Sequence, residues 1–136
     1  MTYRHLVRIR YGECDMQKVV FNANYLAYID DATDTWFREA LGPFEATGFD
    51  FMVKRVTVEW QSAARFGEVL SFDLDVTRWG TSSFDVGVVA TVDDRAVLTA
   101  SLVYVSTVPG QAAARPVPPE VRALLNGTGL SGTGSS

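Results

Sequence analysis

The sequence predicts an α+β domain in which a curved antiparallel sheet of about five strands wraps one long helix. Three observations predict it. A helical apolar stripe runs from Asn22 to Leu41, and period-two alternation sets in after residue 50 and persists over most of the remaining chain. The links between the alternating runs are too short for the crossovers that parallel strands need. A helix and a sheet that each carry one apolar face bury both only by packing together, so the sheet has to curl around the helix.

Residues 4–11, RHLVRIRY, mix apolar and basic side chains in near alternation and read as a first strand with one wet face. Tyr25, Ile29, Ala32, Trp36 and Ala40 then recur at helical steps, the pattern of one buried helix face. Asn22 or Asn24 supplies a start cap, and Gly42-Pro43 supplies the left-handed stop and the breaker. Such a helix of about 20 residues is roughly 30 Å long, the diameter of a small domain.

Four alternating rows come next: Val56, Val58 and Trp60; Phe72, Leu74 and Val76; Phe84, Val86, Val88, Ala90 and Val92; and Ala96, Leu98, Ala100, Leu102 and Tyr104. Arg65-Phe66-Gly67-Glu68, Trp79-Gly80-Thr81 and Asp93-Asp94 are turn-like and suit antiparallel hairpins. Residues 1–125 thus form one domain, closing with a proline-rich stretch and a short helix through Leu125. Residues 126–136, rich in Gly, Ser and Thr, read as a flexible tail.

Composition narrows the function classes. A chain of 136 residues with 47% hydrophobic and 21% charged residues has the balance of a globular protein with a single core. The net charge is −4 and no Lys/Arg run exceeds two residues, so the electrostatic footprint of a nucleic-acid binder is missing. No apolar run approaches the roughly 20 residues needed to cross a bilayer, and the charged N-terminal stretch is no secretory signal. A single cysteine cannot form an internal disulfide, which makes the cytoplasm the default location. One Cys and one His are too few soft ligands for an ordinary zinc site, and no metal is expected.

The chemistry is concentrated in residues 12–25, GECDMQKVVFNANY, where Asp15 stands a few residues ahead of the helix start. The first N–H groups of a helix lack internal partners and, with the helix dipole, make a positive end that attracts a polarised oxygen. A carboxylate facing such an end can attack a carbonyl held there, or activate a water beside it. Taken alone, an aspartate before a helix is more often a turn or capping residue.

Residues 3–125 resemble the hotdog-fold acyl-CoA thioesterases, specifically the 4-hydroxybenzoyl-CoA thioesterase-like family. Three stretches carry the resemblance. The first is Tyr11, Glu13-Cys14-Asp15, Val19-Val20 and Phe21-Asn22-Ala23-Asn24-Tyr25; the second is VEWQSAARFGEVLSFDLDV; the third is Ser82-Ser83-Phe84 opening a strand.

The resemblance implies a hotdog fold and hydrolysis of an acyl-CoA thioester to free acid and CoA, with no cofactor. Asp15 would be the nucleophile or general base, and the Asn22 main-chain N–H would meet the thioester oxygen. Tyr25, Trp60, Ser82 and Ser83 are the implied substrate-binding positions. Homodimers or homotetramers are expected, and the open sheet edges give a physical reason to pair. Release of a polyketide or fatty acyl chain from an acyl carrier protein, and acyl-ligand binding without turnover, are the alternatives. The chain departs from the family at Lys18, where many members have glycine, and at Asn22, where many have histidine or tyrosine. Gly80-Thr81-Ser82 is neutral where relatives often grip the coenzyme's phosphates with basic residues.

Other residues have plainer readings. Tyr25 and Trp36 lie on the helical stripe and are expected in the core, whereas Trp60, at a strand end, suits core or cleft wall equally. Asp30 falls fifteen residues after Asp15, where the hydroxybenzoyl branch carries an acid near the substrate's ring. With Asp31 and Asp34 beside it, a solvated helix face is the simpler account. Cys14 lacks a nearby base, since the one histidine, His5, lies nine residues back, and is expected to be inert. Phe51, Trp60, Phe66 and Trp79 are the candidates for shaping an acyl pocket.

Overall fold

The computed structural model describes residues 2–20, 22–42 and 49–126. Its elements are β1 (Tyr3–Arg8), a 3-10 turn (Tyr11–Glu13), α1 (Asn22–Leu41), β2 (Asp50–Trp60), β3 (Val69–Trp79), β4 (Ser83–Val92), β5 (Arg95–Thr107) and α2 (Pro119–Leu125). The strands form one five-stranded sheet in the order β1-β3-β4-β5-β2, and every pairing is antiparallel. This is the α+β hotdog arrangement that the sequence predicts.

The helix forms where its periodicity places it. Tyr25, Ile29, Ala32, Trp36 and Ala40 are all buried, joined by Tyr28, Thr33, Phe37 and Leu41. That face packs on the inward row of the central strands, including Leu70, Phe72 and Leu74 of β3, Phe84 and Val86 of β4, and Leu98 of β5. Each fully buried side chain of this size contributes roughly 1.5–3 kcal/mol relative to leaving it in water. Gly42 ends α1 with φ +79°, and its N–H donates to the Arg38 carbonyl at 2.9 Å. The predicted breaker Pro43 lies outside the described residues, as do positions 127–136 of the predicted tail.

Two sequence expectations need correction. The first strand ends at Arg8 rather than at residue 11, because Tyr11–Glu13 turn back as a 3-10 helix held by a reciprocal Arg10–Glu13 cap. The segment containing Arg65-Phe66-Gly67-Glu68 is not a hairpin. β2 pairs with β5 at one edge and β3 lies beside β1 near the other, so residues 61–68 cross from one side of the sheet to the other. Local turn chemistry reported a reversal there, but the segment is held in its crossing path by partners distant in sequence, with the Ala64 N–H donating to the Tyr25 hydroxyl and Arg95 donating to the Ala63 carbonyl.

Edge position also explains why the Val56–Trp60 row is open to solvent. Val53, Val56 and Trp60 are 50%, 41% and 43% exposed, since α1 covers the centre of the sheet and not its β2 margin. At the far end the short helix α2 acts as a strap. Pro119 starts it in the first-turn position that suits proline, and Val121 and Leu125 are buried. Arg122 donates to the carbonyls of Gly80 and Thr81 and lies over the Trp79 ring at 5.1 Å. Trp79 in turn donates its indole N–H to Asn126 at 2.9 Å.

Candidate active site

The segment before α1 folds back on itself. Cys14 and Val20 form an antiparallel bridge, the Asp15 N–H donates to the Val19 carbonyl at 2.9 Å, and the Lys18 N–H donates to the Asp15 carbonyl at 2.9 Å. One Asp15 carboxylate oxygen accepts the Gln17 N–H at 2.8 Å, which sets the turn. Asp15 itself is exposed. Lys18 closes the turn with φ +64°, the left-handed conformation for which glycine is better suited. Among the described residues no ion pair joins Lys18 to Asp15.

Tertiary contacts seat this loop against the crossing segment. Val19 bridges Arg65, the Phe66 N–H donates to the Lys18 carbonyl at 3.1 Å, and the Val20 N–H donates to the Ala64 carbonyl at 2.9 Å. Ala64 also donates its own N–H to the Tyr25 hydroxyl at 2.9 Å. The segment is held from its other side by Arg95, which donates to the Ala63 carbonyl and forms an ion pair with Glu68 at 2.7 Å. The loop, the start of α1 and the end of β2 therefore meet at one end of the sheet.

A group of polar side chains ties the loop to the helix. The Glu13 carboxylate accepts from the Arg10 N–H at 2.9 Å, from the Arg10 guanidinium at 2.7 and 3.2 Å, and from the Tyr28 hydroxyl at 2.9 Å. Asn24 donates its side-chain N–H to the Glu13 carbonyl at 2.9 Å, so Asn24 bridges loop and helix instead of capping the helix. The Arg10 guanidinium beside Glu13 holds its carboxyl below the usual range, outweighing the opposite effect of burial. Burial pushes the Tyr28 phenol up, and the adjacent Glu13 adds to it. Sequence reasoning assigned Glu13 no role, although the acidic pair Glu13-Cys14-Asp15 was the available signal.

The candidate residues fall into two places. Asp15, Asn22, Tyr25 and Trp60 lie at the loop end of the sheet. Asn22 is the first residue of α1 and is exposed. Tyr25 is 1% exposed, with its hydroxyl engaged by Ala64, so it is a core residue, and the half-exposed Trp60 ring lies edge-on to it at 6.2 Å. Ser82 and Ser83 lie beyond the opposite end of β3, a strand length of about 33 Å from the loop. Within one chain they are not part of the same site.

The remaining candidates divide similarly. Phe66 is half-exposed and meets Tyr11 edge-on at 5.7 Å beside the Asp15 loop, while Trp79 is under Arg122 at the far end. Burial pushes the Cys14 thiol up, with Glu13 and Asp15 adding, which disfavours a thiolate. His5 pairs with Asp31 at 3.3 Å, away from Cys14.

A groove runs beside α1 along the β2 margin. An apolar cavity of about 190 Å³ is lined by Leu26, Ile29, Asp30, Val53, Val56, Leu102 and Tyr104. A second, of about 240 Å³, shares Asp30 and Tyr104 and adds Phe51 and Thr33. Asp30 is thus exposed, as a solvated helix face requires, yet it borders both cavities. Among the described residues no cluster of three His, Cys, Asp or Glu side chains could hold a metal ion, and no helix is long and apolar enough to cross a membrane.

The profile of the thioesterase-like superfamily matches residues 9–125, and the chain belongs to that superfamily, whose reaction class is thioester hydrolysis. Solved structures share the fold. A thioesterase-superfamily protein from Jannaschia sp. CCS1 superposes with TM-score 0.85 at 24% identity, covering 91% of this chain and 90% of that one. A 4-hydroxybenzoyl-CoA thioesterase variant, solved in complex with 4-hydroxybenzoyl-CoA, gives 0.80 at 22% identity over 91% and 98%. The 1,4-dihydroxy-2-naphthoyl-CoA thioesterase of Synechocystis gives 0.79 at 15% identity over 92% and 96%. No curated protein matches the chain by sequence.

Proposed function

We propose that this protein hydrolyses an acyl-CoA thioester, with Asp15 as nucleophile or general base and the N-terminus of α1 as the site that polarises the thioester carbonyl. The observation that carries the reading is an exposed carboxylate on a hydrogen-bonded turn directly ahead of a 20-residue helix. The main-chain N–H of Asn22 faces no intrahelical acceptor at that position, and one donor aimed at a developing oxyanion is worth about 2.7–4 kcal/mol. Attack at the carbonyl carbon breaks the C–S bond and releases CoA as the thiol, with the acid formed by water directly or through an acyl-aspartyl intermediate.

The groove along α1 is the place for the acyl group. Leu26, Ile29 and Asp30 lie four, seven and eight residues after Asn22, about 6–12 Å down the helix axis, which is the reach of a short chain or a single ring. Its outer wall is the bare β2 edge, whose Val53, Val56 and Trp60 remain partly open. Pairing of β2 edges between two copies would cover this margin and make a homodimer, and a homotetramer by further association. In such an assembly Ser82 and Ser83 would contribute to substrate binding only from another subunit.

A panel of acyl-CoAs with a thiol-reactive dye tests the reading. Thiol release that falls about a thousandfold or more in Asp15→Asn, with unchanged melting temperature, supports hydrolysis. Tight acyl-CoA binding without thiol release would identify a ligand-binding domain, and activity confined to acyl carrier protein thioesters would move the substrate to that carrier.

A further inference from the structure

We infer that Glu13 is a positioning residue that holds Asp15 in register with the start of α1 through Tyr28 and Asn24, a role that rests on the hydrolysis reading above. The argument is one of connectivity. Asp15 is on a turn whose backbone is bonded internally, so the turn moves as a unit about its two exits. One exit, Val20, is pinned to Ala64 and through it to Tyr25 near the start of the helix. The other exit is Glu13, two residues from Asp15, and every polar contact of its carboxylate fixes that side.

The donors on Glu13 come from two different elements. Arg10 supplies three from the end of the β1 segment, and Tyr28 supplies one from the helix; Asn24 adds a bond to the Glu13 backbone. Tyr28 also packs edge-on against Tyr25, ring centroids 6.2 Å apart. The loop is therefore closed into a ring of restraints running from helix to Glu13, through the Asp15 turn, to Ala64 and back to the helix. None of these groups lines the groove assigned to the acyl chain; Arg10, Glu13, Asn24 and Tyr28 line a different cavity, of about 550 Å³, so loosening them acts first on where Asp15 sits. Misplacement by about an ångström is enough to cost up to a hundredfold in rate.

Glu13→Gln keeps the shape but sets an amide N–H₂ against the Arg10 donors, and Tyr28→Phe removes one hydroxyl while keeping the ring. With an acyl-CoA that the wild type turns over, each variant is expected to lower kcat about tenfold or more while KM stays within twofold. In an Asp15→Asn background neither should lower the residual rate further, because there is no carboxylate left to place. Glu13→Gln or Tyr28→Phe with wild-type kcat, or with the same loss in the Asp15→Asn background, overturns the positioning role. If Glu13→Gln does not fold, Tyr28→Phe decides. Wild-type turnover in Asp15→Asn alone would instead remove the role of Asp15 in the hydrolysis reading beneath it, so the two failures are told apart.

Discussion

The two ends of α1 are built from different materials. At its C-terminal end Phe37 is fully buried among the rings of Trp36, Phe51, Phe84 and Tyr104, with centroids between 4.9 and 6.0 Å from its own. At its N-terminal end Tyr25 and Tyr28 are buried as well, but there hydrogen bonds among Glu13, Asn24, Tyr28, Tyr25 and Ala64 are added to the ring contacts, and the exposed Asp15 is beside them. Dispersion and burial are non-directional and sum to stability, whereas hydrogen bonds fix direction and contribute little net energy. The aromatic end therefore holds the molecule together, and the polar end sets the geometry of one loop.

The largest test of this contrast sets Phe37→Ala against Asp15→Asn. Phe37 is fully buried and touches four aromatic rings among the described residues, so truncation should cost about 3–5 kcal/mol in denaturant unfolding. Asp15→Asn, at an exposed site, should stay within about 0.5 kcal/mol by the same measurement while losing activity. If both substitutions cost similar stability, the division of labour between the two ends is wrong.

How far the sequence carries this division is uneven. The helix bounds Asn22 and Leu41 and its buried stripe were legible because a 3.6-residue period is a local property that tertiary contacts only reinforce. The sheet order was not legible, because residues 61–68 have turn chemistry and the crossing depends on partners far away in sequence, such as Arg95 and Tyr25. At the site, Asp15 was legible from its place before the helix. The core position of Tyr25 was legible from its stripe, but its link to Ala64 was not. Glu13 was invisible as a role because its meaning comes from Tyr28, fifteen residues on, and a pattern search records only that two acids flank Cys14.

A smaller effect is expected at acid pH, and it belongs to the polar end alone. The folded-state pKa of Glu13 is lowered from the unperturbed 4.5, chiefly by its hydrogen bonds to Arg10. Its contribution to stability is therefore complete above the unfolded-state value and is lost as pH falls through the folded one. The stability difference between wild type and Glu13→Gln, followed by urea unfolding, should be constant near neutrality and shrink below about pH 4.5. Phe37→Ala should show no such pH dependence in its difference from wild type. A Glu13→Gln difference that stays constant down to strongly acid pH would mean that the Arg10–Glu13 ion pair contributes nothing to folding.

The smallest effect is at Lys18, and there stability and function are expected to move in opposite directions. Its φ of +64° is a conformation that a side chain makes costly, by about 1 kcal/mol, and that glycine adopts without penalty. Lys18→Gly should therefore raise stability by up to that amount, read as an increase in urea midpoint with unchanged slope. The lysine is exposed and is the cation on the turn that carries the carboxylate, and among the described residues it forms no ion pair with Asp15. On the hydrolysis reading its place beside Asp15 suits a phosphate of the coenzyme, a contact made equally in ground and transition state. Lys18→Gly should then raise KM for acyl-CoA several-fold with kcat unchanged, and high salt should raise wild-type KM toward the variant's. A variant that is more stable with unaltered KM would show that the strained lysine has no part in binding, and that the polar end tolerates strain for no return at this position.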